Sequence, residues 1–328
     1  MNHEELVIVT VAGPDSFPII NRNAELIKRK NRNSKFSLYV VDNSKFSGGK
    51  AIPETDNWNL IQGVALPDKV KHSKNFASLH HARAINKFFK EIKIQSKYCL
   101  IIDPDFYVLK DEWIKAIIEN MNKKERILFG APWHPRWFTK YRYFPCSHFF
   151  LFNTHMLPSS SLDFSPPFMS SSNSGQNKNR LKKIIGASRI LRILYSLTLL
   201  RRQIGKSKDT GILIYEKLGK KMIFEESLEL LNPVSGSKDF QKVDHLDYKI
   251  GRLIEHLIPE AVSYIPKSKN YMENQSNLPS DLKSKINKQE WEEFSWNGDL
   301  FGVHMRNFPT NMSDINRSIQ LLDELISI

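Results

Sequence analysis

Two carboxylates flank a single proline in the segment Asp103-Pro104-Asp105, which directly follows the apolar run Tyr98–Ile102. Carboxylates at this spacing can converge on one hard cation, because Mg²⁺ and Mn²⁺ prefer oxygen ligands and a diphosphate fills the remaining positions. Asp and Pro are also common in turns that end strands, so a purely structural turn is the alternative. The apolar run favours the metal-site interpretation, because buried charges are costly and are tolerated there only at the edge of a sheet. We therefore predict that Asp103 and Asp105 bind a divalent metal ion.

A second candidate is the segment His304-Met305-Arg306, which follows an apolar run containing Gly302. Imidazole binds several divalent ions, so His304 is a candidate third metal ligand. Arg306, on the same face of a strand as His304, could hold a phosphate through two parallel hydrogen bonds. A lone histidine is more often structural, but Gly302 before it and Arg306 after it favour a functional role.

Short apolar segments alternate with helical ones through the first half of the chain. Strand-like runs lie at Leu6–Ala12, 36–41, 57–64 and Tyr98–Ile102, and helical periodicity lies at 21–30, 78–94 and 113–121. This alternation predicts an α/β fold with a mainly parallel mixed sheet flanked by helices, and the ligands of such sheets bind beyond the carboxyl ends of the strands. We therefore expect residues 11–13, 42–43 and 103–105 to be neighbours.

The second half is predicted to add helices to a single domain that covers residues 1–328. A Ser-, Pro- and Asn-rich loop begins at residue 158, and the segment from Lys178 to Lys208 carries ten Lys or Arg residues and no acidic residue. Its apolar residues fall on one helical face, so we predict a helical insertion at about 158–207 that ends in a basic amphipathic helix. Further helical segments at 246–258, 279–294 and 313–328 predict a helical C-terminal extension at about 245–328.

The basic helix has three interpretations. It could lie on an anionic membrane surface, pack its apolar face on the domain, or bind nucleic acid through phosphates. The first two are favoured equally and nucleic acid is the least favoured, since no nucleic-acid motif accompanies the charge.

The overall composition is that of a folded protein with acidic partners. The chain is 41% hydrophobic and 11% aromatic, which argues against general disorder, and its formal net charge is +13. The two cysteines, Cys99 and Cys146, form no close metal-binding pair, so a reducing compartment is the simplest inference. The polar N-terminus is unlike a signal peptide, and no stretch approaches the roughly 20 apolar residues that span a bilayer. We expect a cytoplasmic protein, either free or peripheral on the inner face of the cytoplasmic membrane.

Two further segments are candidates for substrate contacts. The pair His80-His81 could contact a phosphate of a substrate or could simply begin a helix, and the structural interpretation is favoured for His80. Residues 133–143, which begin with Trp133 and His134, are dense in aromatic and basic side chains. Aromatic faces hold sugars and cations suit phosphates, so we expect this segment to contact a substrate; a surface loop packed on the core is the alternative.

Several of these segments, in this order, resemble a known family. The matching segments are Leu6–Ala12, Val40-Val41-Asp42-Asn43-Ser44, His81-Ala82-Arg83-Ala84-Ile85-Asn86, Asp103-Pro104-Asp105, and Lys208-Asp209-Thr210-Gly211 with Leu218-Gly219-Lys220-Lys221. They resemble the GT-A-fold glycosyltransferases, in particular the inverting family 2 that includes cellulose and chitin synthases. The resemblance covers residues 6–110 and 205–225.

The resemblance implies a metal-dependent sugar transfer during cell-surface polysaccharide assembly. A nucleoside diphosphate sugar would be the donor, Mn²⁺ or Mg²⁺ the metal, and a glycan or lipid-linked molecule the acceptor. Residues 133–143 would then lie on the acceptor side. The implied metal ligands are Asp103, Asp105 and His304, with Asp105 the chief ligand, and Asp209 would be the general base of an inverting reaction. The implied donor contacts are Ala12, Asp42, Asn43, His81, Arg83, Asp103 and Arg306. From the sequence alone, Asp209 could instead cap the helix that follows it.

Two other functions remain open. One is a sugar nucleotidyltransferase on a related fold, which would be expected to carry a Gly-rich phosphate loop with a basic residue near the N-terminus; Gly13-Pro14-Asp15 does not supply one. The other is a non-catalytic adaptor on a similar fold that binds a membrane or nucleic acid through its basic surface.

Overall fold

Strands and helices alternate from the N-terminus, as the apolar pattern predicts. The computed structural model describes residues 4–71, 73, 75–134, 144–167, 209–219, 221, 222, 225, 227–234, 277–305 and 312–327. The strands are β1 (Leu6–Ala12), β2 (Phe36–Asp42), β3 (Asn59–Gln62), β4 (Tyr98–Ile102), β5 (Phe106–Val108), β6 (Leu128–Pro132), β7 (Pro145–Asn153), β8 (Leu228–Leu230), β9 (Asn232–Val234), β10 (Glu292–Trp296) and β11 (Asp299–His304). The α-helices are α1 (Phe17–Lys30), α2 (Asp68–Lys71), α3 (Phe76–Glu91), α4 (Trp113–Lys123), α5 (Ile212–Ile214), α6 (Ser280–Lys288) and α7 (Met312–Ile326).

Within the described residues, seven strands form one mixed sheet in the order β3-β2-β1-β4-β7-β6-β8. The pairs β1–β2, β2–β3, β1–β4 and β6–β8 are parallel, whereas β7 runs antiparallel to both β4 and β6. The predicted α/β fold with a mainly parallel sheet is therefore confirmed. The carboxyl ends of β1 and β2 are adjacent as expected, since Ala12 is opposite Asp42 and the N–H of Asn43 donates to the carbonyl of Ala12 at 3.1 Å.

Helices cover both faces of this sheet, which explains why its central strands are largely apolar. Side chains alternate between the two faces of a strand. Leu6 and Ile8 of β1 pack in a cluster with residues of α1 and α4, whereas Val7 and Val9 pack in another with residues of α3. Every residue of β1 is buried. Full burial of each such side chain contributes about 1.5–3 kcal/mol.

A smaller antiparallel sheet, in the order β5-β11-β10-β9, lies beyond the carboxyl end of β4. Its apolar side chains, such as Tyr107 and Val303, pack in a third cluster with α1, α6 and α7. Gly302 allows β11 to approach β5, because a Cβ at this position would lie 2.4 Å from the carbonyl oxygen of Tyr107. This approach positions the end of β11 beside the end of β4.

The prediction of a helix at 279–294 is wrong in its second half. Helix α6 ends at Lys288, and residues 292–296 form β10, which pairs with β11 across the turn at Asn297 and Gly298. These two residues have φ values of 54° and 87°, as a two-residue hairpin turn requires. The C-terminal extension at about 245–328 is therefore not helical throughout, because the described part contains a β-hairpin between two helices.

Several predicted features lie outside the described residues. They are the basic helix from Lys178 to Lys208, the helical segment 246–258, most of the aromatic and basic segment 133–143, and Arg306. Within the described parts of the chain, no helix combines the length and the apolar character needed to cross a bilayer.

Candidate metal centre

Asp103 and Asp105 lie in a tight turn between the two sheets. Strand β4 ends at Ile102, and the N–H of Phe106 donates to the carbonyl of Asp103 at 3.0 Å, which closes the turn as β5 begins. The N–H of Asp103 donates in the other direction, to the carbonyl of His148 on β7, at 3.1 Å. The Asp103-Pro104-Asp105 segment is therefore held by backbone hydrogen bonds at the carboxyl edge of the large sheet.

His304 reaches this turn from the other end of the chain. Strand β11 pairs with β5 so that His304 is opposite Phe106, and the N–H of Met305 donates to the carbonyl of Asp105 at 2.9 Å. His304 Nε2 consequently lies 3.4 Å from Asp105 Oδ1, with 4% of the histidine side chain and 14% of the aspartate side chain exposed. The structure thus brings together the three residues predicted to bind metal, and their metal-binding role stays a prediction.

Glu292, on the neighbouring strand β10, orients the imidazole of His304. Its Oε2 lies 3.2 Å from His304 Nδ1, and its side chain is fully buried. When Nδ1–H donates to Glu292, the lone pair of Nε2 faces Asp105. A carboxylate that orients a histidine in this way is typical of metal sites, where it fixes the tautomer and raises the basicity of the ligand. The lone pair of His304 Nε2 and the carboxylate oxygen of Asp105 repel each other unless a positive charge lies between them. That charge is either a proton or a metal cation.

His148, which the sequence pattern did not indicate, belongs to the same cluster. One ligand atom from each of Asp103, His148 and His304 can be chosen so that all three lie within 4.8 Å of one another. The two imidazole rings stack, with centroids 4.5 Å apart and planes inclined by 27°. The only sequence signal for His148 was a histidine directly before the apolar run 149–152 of β7.

The donor set suits a small divalent cation. Two ligands that share such an ion, each about 2.1 Å from it, lie about 3.0–3.4 Å apart. The separation of 3.4 Å between His304 Nε2 and Asp105 Oδ1 lies in this range. Carboxylate oxygens and imidazole nitrogens together suit Mn²⁺ and related ions. The residues present therefore fit the metal that the sequence predicts.

His81 and His80 face different surroundings although they are adjacent on α3. His81 Nε2 lies 3.4 Å from Asp103 Oδ1, so its imidazole borders the candidate metal centre. His80 is buried, and its Nε2 lies 3.1 Å from the carbonyl oxygen of Val64. Burial lowers the pKa of His80, an effect partly opposed by the hydrogen bond to Val64 and reinforced by His81. The contact of His80 is the one expected of a structural residue.

Asp42, Asn43 and Ala12 shape the sheet edge near the predicted nucleotide site. The Asp42 carboxylate accepts hydrogen bonds from Ser44 N at 2.9 Å, from the Ser44 hydroxyl, and from Ile52 N at 3.1 Å. Asn43 Nδ2 donates to the carbonyl of His80 and Asn43 Oδ1 accepts from Val64 N, both at 3.0 Å. Ala12 is fully buried. These contacts hold the loops together, and a donor contact by the three residues stays a prediction.

Asp209 lies close to the first turn of α3. The hydroxyl of the next residue, Thr210, donates to the carbonyl of Ser78 at 3.1 Å, and Ser78 is one helical turn before His81. The helix after Asp209 begins at Ile212 and its N-cap residue is Gly211, so Asp209 lies two residues before the N-cap. A π-helical turn, Tyr215–Gly219, follows it directly, and such turns are frequent near functional sites.

Arg83 is partly buried on α3. Among the described residues its guanidinium makes neither an ion pair nor a hydrogen bond. The structure therefore does not test its predicted contact with a donor, and Arg306 lies outside the described residues.

Comparison with protein families finds no family model that matches the chain, and no curated protein matches it either. Among solved structures, it is similar to the mannosyltransferase PcManGT from Pyrobaculum calidifontis in complex with GDP-Man and Mn²⁺, at 11% identity and a TM-score of 0.32 over 48% of this chain and 46% of that one. It is similar to the galactosyltransferase LgtC in complex with donor and acceptor sugar analogs, at 10% identity and a TM-score of 0.40 over 98% and 97% of the two chains. It is also similar to residues 1–349 of S. aureus TarS in complex with UDP-GlcNAc, at 12% identity and a TM-score of 0.33 over 90% and 99%.

The alignment with PcManGT spans about half of that protein, 46%, and an alignment with an active-site variant of LgtC spans 57% of that chain. At identities of 10–12% and TM-scores of 0.32–0.40, these similarities assign neither a family nor an activity to the chain.

Proposed function

We propose that this protein is a GT-A-type glycosyltransferase that moves a sugar from a nucleoside diphosphate sugar to a hydroxyl group of an acceptor. The observation that carries the proposal is the convergence of Asp103, Asp105 and His304, from distant parts of the chain, at the carboxyl edge of a mainly parallel sheet. Ligands of such sheets bind at this edge. A site of carboxylates and imidazole there suits a metal-bound diphosphate.

Asp103, Asp105 and His304 would hold the metal ion. Mn²⁺ or Mg²⁺ bound there would supply a positive charge that stabilises the departing nucleoside diphosphate. The chain prepares the site in two ways. Glu292 holds the His304 imidazole in one orientation from a fully buried position, and the backbone of Asp103 and Asp105 is fixed by hydrogen bonds to β7 and to Met305. Such prior ordering lowers the reorganisation needed when charge develops.

The donor would lie across the ends of β1, β2 and β4. Asp42 and Asn43 shape the loops at this edge, and Ala12 lines it at the end of β1. His81 borders Asp103 and would contact the diphosphate, with Arg83 and Arg306 as further donor contacts. Imidazole and guanidinium groups donate hydrogen bonds to phosphate oxygens, which are shorter and stronger when the groups are charged.

Asp209 would accept the proton of the acceptor hydroxyl as this group attacks the anomeric carbon, so we propose inversion of configuration. Asp209 lies beside the first turn of α3, and the same helix carries His81 further along. This position supports the role of general base. General-base assistance of this kind contributes about 10²–10⁴-fold to the rate. Asp209→Asn should therefore lower kcat by this factor while leaving donor affinity nearly unchanged, and NMR of the first-formed product gives its anomeric configuration.

The acceptor would be a glycan or a lipid-linked molecule in cell-surface polysaccharide assembly, reached from the cytoplasmic side of the membrane. The basic segment from Lys178 to Lys208 supports a membrane surface as a partner, because its ten cations are accompanied by no acidic residue. Co-sedimentation with vesicles tests this proposal. Binding to anionic vesicles that is lost in the double variant Arg201→Ser, Arg202→Ser supports it, and equal binding to neutral vesicles contradicts it.

A thermal-shift screen tests the catalytic proposal. The purified protein is heated with UDP, GDP, CMP and their sugar conjugates, each with and without Mn²⁺. A nucleotide present at 100 times its Kd adds about 2.7 kcal/mol to the free energy of unfolding. We expect one nucleoside diphosphate to raise Tm only when Mn²⁺ is present.

The matched variants are Asp105→Asn, at the site, and Asp111→Asn, whose side chain is 79% exposed on the surface. The metal-dependent shift should disappear in the first variant and persist in the second. A folded protein that shows no shift with any nucleotide would contradict the proposed donor site.

A further inference from the structure

We infer that His148 is a further protein ligand of the proposed metal ion, so that the site is built from two imidazoles and two carboxylates. This inference rests on the proposed metal site and extends it to a residue from a separate strand. It also assigns the site a preference for ions that bind nitrogen well.

The register of the large sheet places His148 beside Asp103. Strands β4 and β7 are antiparallel, with Ile102 opposite Phe149. The next pair along the ladder is Asp103 and His148, which are joined by the hydrogen bond from Asp103 N to His148 O at 3.1 Å. This bond fixes the backbone of His148 beside Asp103, at the carboxyl end of β4.

The side chain of His148 also lies next to the second predicted ligand. Its ring stacks on that of His304 at a centroid distance of 4.5 Å, and ligand atoms of Asp103, His148 and His304 lie within 4.8 Å of one another. Three ligands of one small ion are mutually separated by about 3.0–4.2 Å. A side-chain movement of a fraction of an ångström to about 1 Å would therefore complete the coordination.

The surroundings of His148 hold its ring in place among apolar groups. Trp133 packs edge-on against the ring at a centroid distance of 5.4 Å, and Phe106 stacks on it at 5.9 Å. The thiol of Cys146 lies 2.8 Å from Nδ1 and 2.9 Å from Nε2. These contacts hold the ring beside Asp103 and His304, at a separation from which both imidazoles can bind one cation.

A second imidazole changes which ions the site prefers. Mg²⁺ demands oxygen ligands and keeps its waters, whereas imidazole suits transition-metal ions, with affinity rising from Mn²⁺ through Co²⁺. His148 therefore raises the affinity for Mn²⁺ and Co²⁺ relative to Mg²⁺. Loss of a residue that only hydrogen-bonds to a metal ligand already weakens metal binding about 10–100-fold. Loss of the ligand His148 itself should therefore weaken Mn²⁺ binding at least about 10-fold, and Mg²⁺ binding less.

Electron paramagnetic resonance tests the inference on the full chain, without donor or turnover. Titration with Mn²⁺ gives the Kd from the signal of the free ion, and competition by Mg²⁺ gives the preference between the two. Pulsed measurements on the bound ion detect the nitrogen of each coordinated imidazole. The variants are His148→Gln and the matched control His155→Gln, whose side chain is exposed just beyond the end of β7.

We expect two coordinated imidazoles in the wild-type protein and in His155→Gln, and one in His148→Gln with a Kd for Mn²⁺ raised at least about 10-fold. Bound Mn²⁺ with a single imidazole in the wild-type protein would overturn the inference while leaving the proposed metal site intact. A wild-type protein that binds no Mn²⁺ would refute both. The wild-type spectrum decides the question even when His148→Gln does not fold.

Discussion

Glu292 Oε2 lies 3.2 Å from Nδ1 of His304, and both side chains are almost completely buried. The two residues are directly opposite each other on β10 and β11. A fully buried carboxylate is costly unless it is paired, so this contact stabilises the carboxylate as well as orienting the ring. The hairpin therefore carries the proposed metal ligand His304 together with the carboxylate that orients it.

Replacing Glu292 tests this relationship. Glu292→Gln removes the charge that orients His304 and should raise the Kd for Mn²⁺ about 10–100-fold, as expected for a partner behind a metal ligand. Isothermal titration calorimetry measures the affinity. Glu119→Gln, at a position whose side chain is 66% exposed, is the control and should bind as the wild type does. Equal affinities in all three proteins would show that Glu292 does not act through the metal ligand.

The close approach of β5 and β11 predicts that Gly302 cannot be enlarged. In Gly302→Ala, the new Cβ would meet the carbonyl oxygen of Tyr107 at 2.4 Å, so the strands must separate. Overpacking of this kind destabilises by about 1–3 kcal/mol. Urea denaturation measures the loss, and Gly13→Ala is the control, because nothing lies within 4 Å of a Cβ at that position. An unchanged urea midpoint for Gly302→Ala would contradict the close packing.

The hydrogen bonds of Asp42 predict a structural role that a stability measurement can separate from donor binding. Asp42→Asn weakens charge-assisted bonds from Ser44 and Ile52, and such bonds contribute about 1.5–3 kcal/mol each. We expect the free energy of unfolding to fall by at least about 1 kcal/mol, with little change for the exposed control Asp56→Asn. Normal stability combined with lost nucleotide binding would instead assign Asp42 a direct contact with the donor.

The lowered pKa of His80 predicts a pH dependence of stability. Burial is the main cause of the shift from the ordinary value of 6.5. Below that value the unfolded chain binds a proton that the folded chain resists, so stability should fall as the pH decreases from about 6.5 towards the lower folded-state pKa. Above that range His80 is neutral in both states and makes no pH-dependent contribution.

His80→Gln should remove this part of the pH dependence. Urea denaturation of the wild type and the variant between pH 5 and 8 measures the difference in slope. Parallel curves for the two proteins would mean that other groups account for the loss of stability in acid.

The elements around Asp103 were predictable because their signals are local. The apolar runs Leu6–Ala12 and Tyr98–Ile102 and the helical periodicity after residue 78 match β1, β4 and α3 closely. Because the carboxyl ends of parallel strands lie at one edge of a sheet, the ends of β1, β2 and β4 were expected to be neighbours. The pairing of β5 with β11 places His304 at the same edge.

Glu292 and His148 were not predictable in the same way, because their positions depend on pairing between distant segments. The residues around Glu292 favour a helix by their intrinsic propensity, and tertiary pairing with β11 overrides that preference. The Asn297-Gly298 pair was the local sign of a hairpin. Counting back from that turn places Glu292 opposite Val303, and a β-bulge between Phe294 and Ser295, which the sequence does not signal, shifts its partner to His304. His148 had no comparable sign, since only its register with Asp103 reveals its place.

The pairing of β5 with β11 joins segments that are separated by most of the chain. Contacts of this kind form slowly, because a long loop must close before they are made. During synthesis, a nascent chain whose last hairpin is still inside the ribosome presents Asp103 and Asp105 without His304 or Glu292. Binding of the proposed metal ion would then be one of the last steps in the maturation of this protein. Chains released from the ribosome before β11 is synthesised would fail to retain the ion.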